Sequence, residues 1–153
     1  MTSTTRIDVA RDARDALPDT DYSDAFRTPS PALFTAEEWA RAAFEPVPGQ
    51  TFPAQQRVWR GVLQLRFGPA ASLDHVAGWA IVENDPGRLV LAALSWHLDA
   101  RLLFEAGPEA GQVTTMVRFR NPAGRAIWSA VGPLHRHAVP GILDAARKRL
   151  LSR

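Results

Sequence analysis

The sequence predicts an α+β fold: an antiparallel sheet, preceded by two short helices and followed by one long C-terminal helix. Three observations carry this. From residue 78 the apolar spacing changes from helical to alternating. The loops between the alternating runs are short and rich in turn residues, which joins the strands as antiparallel neighbours. Asn121-Pro122 then opens a segment with apolar residues at helical spacing up to the basic cluster Arg147-Lys148-Arg149.

Residues 1–18 mix charges with small residues (Asp8, Arg11, Asp12, Arg14, Asp15) and read as a mobile arm ended by Pro18. Residues 19–153 form one domain. Asp21-Tyr22-Ser23-Asp24-Ala25-Phe26 alternates as a short strand, closed by Pro29 and Pro31. Thr35-Ala36-Glu37-Glu38 is a capping box, followed by Trp39, Ala42 and Ala43. A second helix is predicted to open at Pro53, carry Val58, Trp59, Val62, Leu63 and Phe67 on one face, and end at Gly68-Pro69. Strands follow over 78–83, 88–98, 99–105 and 112–120, with Asn84-Asp85-Pro86-Gly87 and Gly107–Gly111 as turns. Ser95-Trp96-His97 falls within the strongest of these runs. The last helix has the stripe Ile127, Val131, Leu134, Ala138, Ile142, Ala145, with Pro133 and Pro140 inside it; a break is expected near Gly132-Pro133.

A chain of 153 residues suits one domain that buries roughly 70% of its unfolded surface. There is no cysteine, hence no disulfide framework and no thiolate zinc site. No apolar run reaches membrane-spanning length, and the first residues lack the apolar core of a signal peptide, so a cytoplasmic protein is expected. Net charge is +2, and Lys148 is the one lysine among 18 basic residues. Because acidic residues nearly balance the arginines, this is a compositional habit rather than a nucleic-acid surface. Arg57, Arg60 and Arg66 with Trp59 make only a faint basic patch.

Four segments resemble a bacterial family catalogued as domain of unknown function 2867: Asp21–Phe26, His75-Val76-Ala77-Gly78-Trp79, Arg118–Trp128, and Pro133-Leu134-His135-Arg136-His137-Ala138-Val139-Pro140. The order of elements is similar to the helix-grip fold of the START and Bet v 1-like (SRPBCC) superfamily. That resemblance implies a curved sheet around the long helix, with a cavity between them for a lipid, polyketide or other small apolar molecule. It implies no cofactor and no catalytic residues.

Candidate pocket residues are Trp79, Trp96, Phe104, Met116, Trp128 and His135. His135, one position off the helix stripe, is the most interesting titratable group: a general base or ligand donor if it faces a cavity, or a partner of a carbonyl freed by proline, which is the favoured reading. His135 and His137 are two apart and diverge on a helix, so no metal site is expected. Ser95 and His97 share a strand face but lack a nucleophile elbow; His97 remains an alternative acid–base residue. Arg118, Arg120 and Arg125 meet where strand becomes helix, an anion site or, more plainly, a salt-bridge cluster with Asp21, Asp24 or Glu83. The leading expectation is a binding domain for a small apolar molecule. An acid–base enzyme of polyketide cyclase or hydrolase kind using His135 or His97 is the alternative. A third is an interaction module working through a sheet edge or the Trp39 helix. The oligomeric state stays open, a dimer among the options.

Overall fold

The computed structural model describes residues 4–45, 57–69 and 71–153. Among these, the strands are β1 (Thr5–Ile7), β2 (Tyr22–Pro29), β3 (Ala71–Ser72), β4 (His75–Val76), β5 (Trp79–Asp85), β6 (Arg88–Leu94), β7 (Leu98–Ala106) and β8 (Ala110–Phe119). They form one antiparallel sheet in the order β1-β2-β8-β7-β6-β5-β4-β3. Helices α1 (Ala36–Phe44) and α2 (Pro122–Leu151) complete an α+β, helix-grip-like fold. The chain leaves β2 at one side of the sheet, restarts at β3 on the far edge, and returns strand by strand until β8 pairs with β2.

Period-two alternation divides the sheet into two faces. Leu89, Leu91 and Ala93 of β6, Leu98, Ala100, Leu102 and Phe104 of β7, and Val113, Thr115 and Val117 of β8 stand in register and form the inner face with Tyr22, Asp24 and Phe26. The main core joins most of this face to α1 and α2. On the outer face Val90, Leu103 and Met116 are buried under Ala13 and Leu17. Ala13 belongs to a short 3₁₀ helix, Asp12–Ala16. The N-terminal residues expected as a mobile arm are therefore structural from Thr5 onward: β1 pairs with β2, and the 3₁₀ segment covers the outer face. The scarcity of large apolar residues concealed this, because Ala13 and Leu17, with Val9 and Ala16 beside them, suffice there.

Helix α1 starts on the predicted capping box. The Glu38 N–H donates to Thr35 Oγ1 at 3.1 Å and the Thr35 N–H to Glu38 Oε1 at 3.0 Å. Trp39 is buried against β8 at Gly111, where a Cβ would lie 2.3 Å from the indole. At the other end, Arg149 of α2 donates to the carbonyls of Ala42 and Glu45, at 2.6 and 2.9 Å, and caps the open turn. Among the described residues the second predicted helix is a π-helical turn, Val58–Val62; its expected start at Pro53 lies outside them. Gln64, at φ 54°, ends it, and the Arg66 N–H bonds to the Leu94 carbonyl. Ala77 and Gly78, at φ 49° and 92°, make the two-residue β4–β5 turn that wants positive φ at both places.

Strand β6 stops at Leu94, short of the expected 98. Ser95 folds the chain over: its Oγ accepts from the N–H groups of His97 (3.1 Å) and Leu98 (3.2 Å), and its own N–H donates to the Leu98 carbonyl at 2.8 Å. Serine offers the backbone this local partner, and the turn wins over the strand. Asn121 caps α2 as expected, its Oδ1 accepting from the Gly124 N–H at 2.9 Å. Contrary to the expected break, α2 runs unbroken through Pro133 and Pro140. Its buried face comprises Trp128, Val131, Val139, Leu143, Ala146 and Leu150, rotated from the predicted stripe. Leu134 and Ala138 fail to bury because they overlie a hollow rather than side chains.

The start of α2 is pinned on the β6–β7 turn. A Cβ on Gly124 would lie 2.0 Å from the His97 carbonyl oxygen. The obstacle is backbone, so Gly124→Ala should destabilise the fold by at least the roughly 1–3 kcal/mol of a core overpacking. Gly141→Ala, with open space around it, should be neutral or slightly stabilising. Chemical denaturation of both variants checks the contrast.

Candidate functional site

Between the inner face and α2 lies an open-mouthed cavity of about 380 Å³. Leu98, Ala100, Leu102, Phe104, Val113, Thr115 and Val117 form its floor. Trp128, Val131, Leu134, His135, Ala138, Ile142 and Leu143 roof it, and Phe44, Trp59, Leu63, Leu65 and Trp79 close one end. That end is an edge-to-face aromatic cluster: Phe44 lies 5.0 Å from Trp59 and 5.6 Å from Phe104, and Trp59 lies 5.4 Å from Trp79. The lining is overwhelmingly apolar, with Thr115, His135 and the exposed His137 as polar members.

His135 opens onto a polar cluster behind the lining. Asp24 sits on the inner face of β2 in register with Thr115, and its side chain is fully buried. His135 Nε2 lies 3.1 Å from Asp24 Oδ2, close but without hydrogen-bond alignment. The Tyr22 hydroxyl donates to the same Oδ2 at 2.5 Å, and Arg136 Nη1 donates to the Tyr22 oxygen at 3.2 Å. Asp24 Oδ1 is buried with no hydrogen-bond partner among the described residues. Trp128 closes the group, 5.1 Å from Tyr22 and 5.4 Å from His135 between ring centres. An aspartate beside an imidazole at the wall of an apolar hollow can orient the ring.

Of the residues singled out from sequence, Trp79, Phe104, Trp128 and His135 line this cavity. Trp96 and Met116 do not. Trp96 stands at the tip of the β6–β7 turn, 70% exposed, with the Arg66 guanidinium 4.7 Å from its ring. Met116 faces the outer side, as period-two alternation from Val117 demands. His97 lies in the same turn as Trp96, and Ser95 spends its hydroxyl on that turn; neither reaches the cavity. The three arginines do not converge. Arg118 pairs with Asp99 at 3.0 Å, Arg120 donates to the Ser95 carbonyl at 2.8 Å, and Arg125 stacks over Phe119 at 5.2 Å. Asp21 accepts from the Phe119 N–H instead, Asp24 meets His135, and Glu83 pairs with Arg88. His135 meets a carboxylate rather than a carbonyl freed by proline. Sequence reasoning missed Asp24, Tyr22 and Thr115. The signal for Asp24 was present: two residues before the inward Phe26, it must share that face.

Among the described residues no group of three or more His, Asp or Glu side chains is placed to hold a metal. None of their helices is long and apolar enough to cross a membrane.

Burial, and then the bond to Asp24, push the Tyr22 phenol up to about 12. Tyr22 is the one tyrosine in the chain, so tyrosinate absorbance reports it alone. It should titrate near 12 in the folded protein and near 10 in denaturant. The fold holds the proton more tightly than the unfolded chain, so this contribution is intact below about pH 10 and fades as pH rises towards 12. Tyr22→Phe should remove that part of the alkaline stability loss, measured by denaturation at several pH values.

No curated protein and no solved structure matches this chain. A family model described as "Protein of unknown function (DUF2867)" matches residues 16–142, a span that includes β2 to β8 and α2 as far as Ile142. The chain belongs to the DUF2867 family.

Proposed function

We propose that this chain binds a small apolar molecule in the cavity between its sheet and α2. The observation that carries the reading is the hollow itself: about 380 Å³ with an apolar lining, at the small end of the roughly 300–1,000 Å³ usual for ligand pockets. Close packing is the default in a domain interior. Here the sheet floor and the helix roof are both apolar, yet they stand apart. Leu134 stays exposed over the opening, where burying it would have stabilised the fold.

A second reading, an acid–base enzyme, is favoured by one specific arrangement: His135 has the cavity on one side and the buried Asp24 carboxylate on the other. It rests on His135 alone, since His97 does not line the hollow. A ketone bound there would exchange its α-hydrogens for deuterium faster than in buffer, and His135→Gln would abolish the excess. Exchange at the buffer rate would set this reading aside. An interaction role through the Trp39 helix finds no support, because Trp39 is buried against Gly111; sheet edges and oligomeric state are open to direct measurement.

The test of the binding reading uses a fluorescent hydrophobic probe. Saturable binding to wild type is expected, with a loss of at least tenfold in Ala138→Trp. Ala138 lies exposed at the cavity rim, so an indole there plugs the opening with little effect on stability. Equal binding by both proteins, with Ala138→Trp folded, would show that the probe sits elsewhere.

A further inference from the structure

Building on the binding reading, we infer that the ligand is an aromatic molecule with a phenol-type hydroxyl, and that this hydroxyl donates its hydrogen bond to Nδ1 of His135. The residue lines the cavity, and its Nε2 is turned to Asp24 Oδ2 at 3.1 Å. The ring nitrogen left for a ligand is therefore Nδ1.

The tautomer follows from the neighbours. The Tyr22 hydroxyl donates to Asp24 Oδ2, so Asp24 acts as an acceptor there. Although the pair is not aligned as a hydrogen bond, a carboxylate oxygen 3.1 Å from Nε2 favours the proton on that nitrogen, because two lone pairs at that distance would repel. Neutral His135 then presents a bare lone pair at Nδ1. An acceptor site at the wall of an apolar hollow selects a donor on the ligand. A hydrocarbon leaves Nδ1 unsatisfied, and a ligand bearing only a carbonyl or ether oxygen sets acceptor against acceptor.

The rest of the lining identifies the body that carries the donor. Phe44, Trp59, Trp79, Phe104 and Trp128 all line the cavity. The first four already meet at 5.0–5.6 Å in edge-to-face pairs, and Trp128 stands against Tyr22 and His135, a setting into which a further flat ring fits. The more acidic hydroxyl of a phenol makes a stronger hydrogen bond to imidazole than an alcohol does. Were the phenol to ionise, its proton would pass to Nδ1, giving an imidazolium between the phenolate and the Asp24 carboxylate. Asp24 is thus a positioning residue: it touches the ring, not the ligand.

Three probes of one shape separate the steps of this inference: para-propylphenol, its methyl ether and propylbenzene, titrated into wild type, His135→Leu and Asp24→Asn. The phenol-to-hydrocarbon affinity ratio should fall about tenfold in His135→Leu, the effect of stranding one hydroxyl without its partner. It should fall in Asp24→Asn as well, where Nε2 loses its carboxylate, while propylbenzene binds all three proteins alike. The ether-to-hydrocarbon ratio should not respond to either change. Because removing one member of a buried pair can prevent folding, nitrogen NMR of the histidine rings in wild-type protein provides an independent reading. The phenol should move the Nδ1 resonance of one imidazole, and the ether should not. If propylbenzene binds but the phenol gains nothing from His135 and leaves the imidazole signals in place, this inference is overturned and the apolar cavity stands. If the ether responds as the phenol does, Nδ1 is a donor and the assignment is wrong. If none of the three binds, the cavity reading falls and takes this one with it.

Discussion

The placement of α2 over the sheet depends on one turn. Ser95, Trp96 and His97 close the β6–β7 hairpin, and all three of their carbonyls are taken by the residues that lead into α2. Arg120 reaches the Ser95 oxygen with its guanidinium and the His97 oxygen with its N–H, and Asn121 Nδ2 takes the Trp96 oxygen at 3.0 Å. Asn121 then caps the helix with its other amide atom. Gly124 allows the first helical turn to rest on the His97 carbonyl without a methyl group between them. The helix axis is thereby fixed at its origin. At the far end Arg149 ties it to the last turn of α1. Held at both ends, α2 can span a hollow that its middle does not fill.

That span explains how a polar cluster survives inside an apolar domain. A fully buried carboxylate is unfavourable unless it is paired and hydrogen-bonded. Asp24 has the Tyr22 hydroxyl on one oxygen and His135 beside it, with Arg136 behind Tyr22. Its second oxygen has no partner among the described residues. The cluster joins β2 to α2 across 114 sequence positions, between Tyr22 and Arg136. A leucine at position 24 would satisfy the packing of the inner face with less electrostatic penalty. Packing alone therefore does not account for the aspartate at this end of the cavity.

Most of the fold was legible because its signals are local. The Thr35–Glu38 box, the Asn121-Pro122 cap, the Asn84–Gly87 turn and the alternation of β8 each declare themselves within a few residues. What was hidden depended on partners far away. Residues 5–17 hold few large apolar side chains and no aromatic one, and they are ordered by β2 and by Met116 on the outer face. The stripe of α2 was misplaced because Leu134 and Ala138 border empty space, and hydrophobicity alone does not separate a residue facing a neighbour from one facing a hollow. The candidate site was half legible. His135, Trp128, Trp79 and Phe104 were visible as types on plausible faces. Asp24 reads in the sequence as a salt-bridge partner for the arginines of the strand–helix junction, and its inward place is set only by β2 lying beside β8.

The strand order also governs the sequence of events in folding. From β3 to β8 each strand pairs with the one before it, so this meander closes through short loops alone. Strand β2 is different: its partner β8 begins at Ala110, far along the chain. Closing so long a loop is entropically slow, and contacts of that range are made late. β1 can join only β2, and Asp24 meets His135 only after α2 has docked. The cavity wall that bears the polar cluster is thus among the last parts assembled. Until then the apolar inner face of the meander is open along its β8 edge, a surface that a second chain could pair with if β2 were delayed.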